Sequence, residues 1–125
     1  MRIFLDANIL FSASLPKSRV RVLLDSVGEN ADLITNLYAV EEARRNLELK
    51  RQDALGAFDR LISSCVISGV ATTQITISIA KKDVPILGGA IASDATHLLT
   101  GDKLDFGVLF GKTIYGVKII SPRML

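Results

Sequence analysis

The chain has 125 residues, of which 49% are hydrophobic and 22% are charged, a composition typical of a globular protein and neither disordered nor fibrous. This length is near the commonest size of one domain, so we expect a single domain spanning residues 1–125. Lys and Arg number 15 against 13 Asp and Glu, which leaves a formal net charge of +2. That charge is too small to indicate a nucleic-acid partner by itself.

Several classes of protein and site are disfavoured at once. Charged residues interrupt every apolar run well before the roughly 18–20 residues that span a bilayer, and Asp6 interrupts the apolar start, so we expect a cytoplasmic protein without membrane association. The one cysteine, Cys65, has no partner for an internal disulfide, and its apolar neighbours predict a buried, inert thiol. With His97 as the one histidine, zinc-type sites and cysteine–histidine nucleophile pairs have little support.

The opening run Ile3-Phe4-Leu5 is continuously apolar, which predicts a strand covered on both faces, as in the centre of a parallel sheet. Asp6 follows it directly and is therefore expected at the carboxyl end of that strand, where ligands collect in open α/β sheets. The alternative is that Asp6 only caps the next turn of chain. This stretch alone favours neither role.

The first half of the chain then alternates helices with a strand. Residues 7–13 predict one or two helical turns, and apolar spacing from Pro16 predicts a helix that ends near Gly28. Residues 31–35 predict a short strand. Two amphipathic helices follow, which we expect to pack antiparallel, from Asn36 through Leu47 and from Asp53 to about Ser64.

In the second half, the β-branched residues 66–79 predict a strand or an extended loop, with clear alternation at 74–79. Asp83 is a candidate N-cap for a helix to about Ser93, although Gly88 and Gly89 are expected to loosen it. Residues 97–100 and 117–120 predict two more strands, separated by a loop or helical turn at 103–106. This order predicts an α/β fold, a three-layer α/β/α sandwich around a parallel sheet of about four to five strands.

On that layout two carboxylates follow neighbouring strands. Asp6 and Asp102 both lie at the carboxyl edge of the sheet, Asp83 opens the helix before the second of these strands, and a glutamate of the helix from Asn36 could reach the same crevice. Oxygen ligands without histidine or thiolate suit Mg²⁺ or Mn²⁺, and the chemistry this favours is hydrolysis of a phosphodiester. Singly, each acid also has a simpler interpretation as a cap, a turn residue or a solvated helix charge.

Three weaker patterns are also present. The segment 107–113 is one residue short of a phosphate-binding P-loop and does not follow a strand. A receiver-like signalling domain would need an aspartate on the strand at 33–35, which has none. Basic residues on the helices have two possible roles, to neutralise RNA phosphates or to be solvated and paired within their helices, and neither role is assigned: Lys17, Arg19, Arg21, Arg44, Arg45, Lys50 and Arg51.

Together the motifs resemble the PIN-domain family, which includes the VapC-type toxin ribonucleases. The resemblance is carried by residues 4–10, 35–47, 83–92, 98–105 and 116–123, in the family's order and over nearly the whole chain. It implies a three-layer α/β/α metal-dependent nuclease, most often a ribonuclease and commonly a toxin held inactive by an antitoxin protein.

The resemblance also implies roles for individual residues. Metal binding and catalysis fall to four acids: Asp6, Glu42, Asp83 and Asp102. The residues that support or extend the site are Asn8, Thr100 and Asp105. The choice of Glu42 over Glu41 rests on the resemblance, because both lie off the apolar stripe of their helix. Asp94 departs from the family pattern, and we expect it to be a solvent-facing turn residue.

The function this implies is an Mg²⁺- or Mn²⁺-dependent endoribonuclease, the toxin of a type II toxin–antitoxin pair. Its expected partners are an RNA substrate, an antitoxin protein and a second copy in a homodimer. Two alternatives stay open, a PIN-fold RNA-binding or scaffold module without catalysis and, more weakly, the receiver-like domain.

Overall fold

The computed structural model describes residues 1–69 and 83–125. Its strands are β1 (Arg2–Leu5), β2 (Asp32–Asn36), β3 (Val66–Ser68), β4 (His97–Leu99), β5 (Thr113–Ile114) and β6 (Val117–Ile120). Its α-helices are α1 (Ala7–Ser14), α2 (Arg19–Val27), α3 (Leu37–Lys50), α4 (Leu55–Ser63), α5 (Val84–Ala92) and α6 (Lys103–Phe106). Short 3₁₀ turns occur at Gln52–Ala54, Gly107–Leu109 and Pro122–Met124.

The strands form one sheet in the order β3-β2-β1-β4-β6-β5, parallel except for the last pair. The central strand is β1, in which Phe4 lies between Ile34 of β2 and Leu98 of β4. Ile3, Phe4 and Leu5 are fully buried, so the prediction of a strand covered on both faces is confirmed. Because the first two crossovers step one way along the sheet and the later ones the other way, right-handed connections place α1–α4 and α5–α6 on opposite faces.

The predicted α/β sandwich is therefore confirmed, but the sheet has six strands within residues 1–69 and 83–125 rather than four or five. The strand that sequence reasoning missed is β5, which has only two residues and so shows no apolar period. It turns back onto β6 through Tyr115 and Gly116, at φ 50° and 81°. Two positive φ values in a row are the backbone that a tight hairpin requires. The alternation predicted at 74–79 lies outside the described residues.

Some helices begin a few residues away from the positions that the sequence predicts, for local reasons. α2 begins at Arg19 rather than Pro16, because Lys17 has a left-handed backbone (φ 57°) and the Ser18 hydroxyl caps the helix by accepting the Arg21 amide at 3.1 Å. Asn36 ends β2 and caps α3 through the Ala39 amide at 3.0 Å. Leu37, the first residue of α3, is 52% exposed.

Gly89 of α5 has a packing role that sequence reasoning did not anticipate. A Cβ on Gly89 would lie 2.5 Å from Asn36 Nδ2 and 3.0 Å from Phe4 Cζ. The helix therefore approaches β1 and β2 more closely than any other residue would allow. The expected loosening is not seen in the helix, which runs unbroken from Val84 to Ala92 with its middle residues buried.

Cys65, His97 and the absence of a membrane-spanning segment are the other features on which the sequence makes a prediction. Cys65 is half-buried rather than buried, and its burial raises the pKa of the thiol to about 11, which keeps it protonated and unreactive. His97 begins β4, where its Nδ1 lies 2.8 Å from the Thr96 hydroxyl. Within residues 1–69 and 83–125, no helix combines the length and the apolar character that crossing a bilayer requires.

Candidate metal centre

A cleft of about 260 Å³ opens at the carboxyl edge of the sheet, between α1 and α3. Asp6 reaches it from the end of β1 and Asp102 from just beyond β4, the neighbouring strand. Glu42 of α3 and Asp83, the residue before α5, complete its acidic end. The structure thus brings together in one cleft the four acids to which the family resemblance assigned metal binding.

Asp6 is held in place by three hydrogen-bond donors. Its carboxylate is 3% exposed, and Oδ1 accepts the Ala7 amide at 2.6 Å. Oδ2 accepts the Thr100 hydroxyl at 2.8 Å and Asn8 Nδ2 at 3.0 Å. Asp6 occupies the N-cap position of α1, so the capping role and the place in the cleft occur together.

Asn8 and Thr100 connect this carboxylate to the end of β4. Asn8 Nδ2 also donates to the Thr100 hydroxyl at 3.2 Å, and Asn8 Oδ1 accepts the Gly101 amide at 2.7 Å. The same Thr100 hydroxyl accepts the Asp102 amide at 3.1 Å. The two predicted supporting residues therefore fix the positions of Asp6 and Asp102 relative to each other.

Asp83, Asp102 and Asp105 form the tightest acidic group, with one carboxylate oxygen from each within 4.8 Å of the others. Asp102 Oδ1 accepts the Asp105 amide at 3.0 Å and thereby caps α6. Asp83 stands at the N-cap position of α5 but makes no capping bond with its side chain. Asp105, predicted only to extend the site, is thus a full member of the cluster.

Burial and the neighbouring carboxylates oppose ionisation of all the acids of the cleft at once. Burial, and next the adjoining Asp105 carboxyl, raise the pKa of Asp83 to about 7. Burial raises the pKa of Asp6 to about 6, against the Thr100 and Ala7 hydrogen bonds that lower it. Burial also raises the pKa of the Tyr38 phenol, with Glu42 as the next cause. Such a site is stabilised by protons or by a cation.

Glu41 and Glu42, adjacent residues of α3, lie on different surfaces of that helix. Glu42 is half-buried and lines the cleft, whereas Glu41 is exposed and lies on a different surface with Arg44, Arg45 and Glu48. Of the departures from the family pattern, Asp94 lies in an exposed turn with a left-handed backbone (φ 56°), which is where we expected it.

Four other residues line the cleft that sequence reasoning did not assign to the site, and of these only Lys50 was named, among the unassigned basic residues. Asn46 and Lys50 follow Glu42 on α3, and Phe11 and Ser12 follow Asn8 on α1. The signal was available in the spacing, because residues three or four apart share a helix face. Of the basic residues that sequence reasoning left unassigned, three make ion pairs elsewhere: Arg21 with Asp25, Arg44 with Asp59 and Arg51 with Asp53.

The donor set fits a hard divalent cation. All its charged members are carboxylates, and the buried Asp83 Oδ2 has no hydrogen-bond donor among the described residues. A buried carboxylate oxygen without a donor is costly unless a cation or proton satisfies it. Mg²⁺ and Mn²⁺ prefer oxygen ligands, and the clustered carboxylates supply them.

The mostly parallel sheet between two helical layers, the acids at its carboxyl edge and the solved structures that the chain matches together identify the PIN-domain fold. The chain is similar to VapBC2 from Rickettsia felis bound to a promoter DNA fragment, with a TM-score of 0.71 and 19% identity over 97% of this chain and 98% of that one. FitAB bound to IR36 DNA matches with a TM-score of 0.63 and 22% identity over 98% and 96% of the chains.

VapC20 from Mycobacterium tuberculosis, a toxin that cleaves the sarcin–ricin loop, matches with a TM-score of 0.60 and 11% identity over 85% of this chain and 93% of that one. At these identities the likeness shows a shared fold. No protein-family model and no curated protein sequence matches the chain.

Proposed function

We propose that this protein is a divalent-metal-dependent endoribonuclease, the toxin of a toxin–antitoxin pair. The observation that carries the proposal is the cleft itself, which four acids line. Asp105 clusters with two of them, Asp83 and Asp102, and a buried Asp83 oxygen has no donor among the described residues. The shared fold with a toxin that cleaves the sarcin–ricin loop supports RNA as the substrate. The VapBC and FitAB complexes support an antitoxin as a partner.

The residues that would hold the metal are Asp83, Asp102 and Asp105, with Asp6 and Glu42 beside them. When bound, Mg²⁺ or Mn²⁺ lowers the pKa of an attacking water and stabilises negative charge on the phosphate and the leaving oxygen. The chain positions the ligands: Thr100 and Asn8 hold Asp6 against rotation. Asp102 caps α6, which brings Asp105 back to the cluster. Fixed ligands need no reorganisation when charge develops.

The alternatives have less support. A receiver-like domain would follow the flavodoxin-like order, with β1 between β2 and β3. In the described sheet β1 lies between β2 and β4, and β3 lies outside β2, which excludes that order there. A PIN-fold binding module without catalysis has no specific observation in its favour. We further propose a homodimer and a single domain, which light scattering and limited proteolysis would test.

The test is cleavage of several RNAs by the purified protein with Mg²⁺ or Mn²⁺, compared with the Asp6→Asn variant. We expect the wild-type protein to cleave, EDTA to stop cleavage, and Asp6→Asn to lose at least about 10²-fold in rate while remaining folded, since one misplaced group can cost that much. The matched control is Asp94→Asn, the same change at an exposed turn. Equal cleavage by both variants, or none by the metal-loaded wild-type protein, would count against the proposal.

A further inference from the structure

Beyond its acids, the cleft has a wall formed by a single ridge of α3. Glu42, Asn46 and Lys50 line it at intervals of four residues, and side chains at this spacing form one row along a helix. At a rise of 1.5 Å per residue, Lys50 lies ~12 Å beyond Glu42 along the helix axis, so the cleft extends over that distance towards the end of α3. The wall thus runs from an acid through an amide to an ammonium group.

The opposite wall is formed by α1. Phe11 and Ser12 lie one turn beyond Asn8 and line the same cleft. Phe11 is half-buried and packs against the core, while the rest of its ring borders the cleft. An aromatic side chain of α1 therefore lines the same cleft as the row of α3.

Lys50 is the one cation among the residues that line the cleft in the described part of the chain. Its ammonium group is exposed and makes no ion pair with a described residue, unlike the guanidinium of Arg51 next to it, which is bound to Asp53. Lys50 is therefore not a counter-ion of the acids. Its charge is available to an anion that enters the cleft.

The spacing matches a nucleic acid strand. Successive phosphates of one strand are about 3.4 Å apart along a duplex axis and farther apart when the strand is extended, so ~12 Å spans about two or three nucleotides. A phosphate near the acids would place a neighbouring one within reach of Lys50. Proteins that bind single strands commonly combine basic groups that track phosphates with aromatic rings that contact bases.

On the basis of the nuclease function above, we propose that Lys50 and Phe11 form a subsite for a nucleotide flanking the cleaved bond of a single-stranded RNA. Lys50 binds its phosphate, and Phe11 packs against the face of its base. Asn46, between Lys50 and Glu42, presents an amide that both donates and accepts hydrogen bonds along the strand. Because neither contact reads a base edge, the subsite tolerates different sequences.

The experiment measures fluorescence anisotropy of a short, fluorescein-labelled oligoadenylate at several salt concentrations, with Mg²⁺ and in the Asp6→Asn background. Lys50→Ala should weaken binding about tenfold and reduce the slope of log affinity against log salt by about 0.7, the value for one phosphate contact on a single strand. Lys50→Arg should restore both. The matched control, Arg45→Ala, removes the same charge from the other surface of α3 and should leave the slope unchanged.

Phe11 is tested in the same assay. Phe11→Leu keeps apolar volume against the core but removes the ring, and it should weaken binding by about fivefold or more with no change in salt slope. If the wild-type protein cleaves RNA while Lys50→Ala binds with an unchanged slope, the subsite is refuted and the nuclease function stands. If the wild-type protein neither cleaves nor binds RNA, the proposed function fails first, and the subsite with it.

Discussion

The hydroxyl of Thr100 offers the sharpest test of how the acidic cleft is held together. Thr100 is fully buried, donates to Asp6 Oδ2 at 2.8 Å, and accepts Asn8 Nδ2 and the Asp102 amide at 3.2 and 3.1 Å. Thr100→Val removes these contacts with almost no change in shape. The Asp102 amide and one oxygen of Asp6 then each lose a partner.

The magnitude follows from the kind of bond lost. A hydrogen bond to a charged group contributes about 1.5–3 kcal/mol, and the partly buried Asp102 amide left without a partner adds about 1 kcal/mol. We therefore expect Thr100→Val to lower the free energy of unfolding by about 3 kcal/mol. The matched control is Thr35→Val in β2, equally buried but with one neutral bond from its hydroxyl to the Leu5 carbonyl at 3.1 Å. Its expected cost is about 1 kcal/mol.

Urea unfolding of the three metal-free proteins at pH 7.5 and pH 5 measures both costs. The pKa of Asp6 is raised to about 6, so the folded protein carries this carboxylate ionised at the higher pH and largely protonated at the lower one. The cost of Thr100→Val should therefore shrink by about 1 kcal/mol at pH 5, while that of Thr35→Val stays constant. Equal costs for the two variants, or a cost of Thr100→Val independent of pH, would refute this account of Asp6.

Two further predictions concern stability. Because the pKa of Asp6 is raised from 3.8 to about 6 and that of Asp83 to about 7, the folded protein binds more protons than the unfolded chain between about pH 4 and pH 7. The melting temperature in EDTA should fall as the pH rises through that window, and Mg²⁺ should reverse the fall; a flat profile would contradict this. Gly89→Ala should destabilise the protein by about 1–3 kcal/mol, because the added Cβ meets Asn36 and Phe4. Gly56→Ala is the matched control: its Cβ meets only the end of a flexible arginine, so it should stabilise α4 by about 0.5–1 kcal/mol. The opposite order in denaturant unfolding would contradict the packing account.

Much of the cleft could be predicted from the sequence, because its largest constraints are local. The apolar run before Asp6 admits few structures other than a buried strand, and parallel pairing then brings the acids after β1 and β4 to one edge. The four-residue spacing on α3 likewise determines which residues share a surface with Glu42.

Other features depend on distances between segments and leave no such pattern. The need for glycine at Gly89 arises from the approach of Asn36, which is 53 positions earlier in the chain. Asp105 joins Asp83 and Asp102 only because α6 is a single turn capped by Asp102, and a turn of four residues has no apolar period. The hairpin of β5 was missed for the same reason.

The central claim is that the carboxylates of this cleft hold a divalent cation. Crystals grown with Mn²⁺ and measured for anomalous scattering test it most directly, because the ion is then located without reference to activity. We expect a peak in contact with Asp83 and Asp102, with Asp83 Oδ2 among the ligands. A peak elsewhere with these carboxylates unoccupied, or none at saturating Mn²⁺, would contradict it.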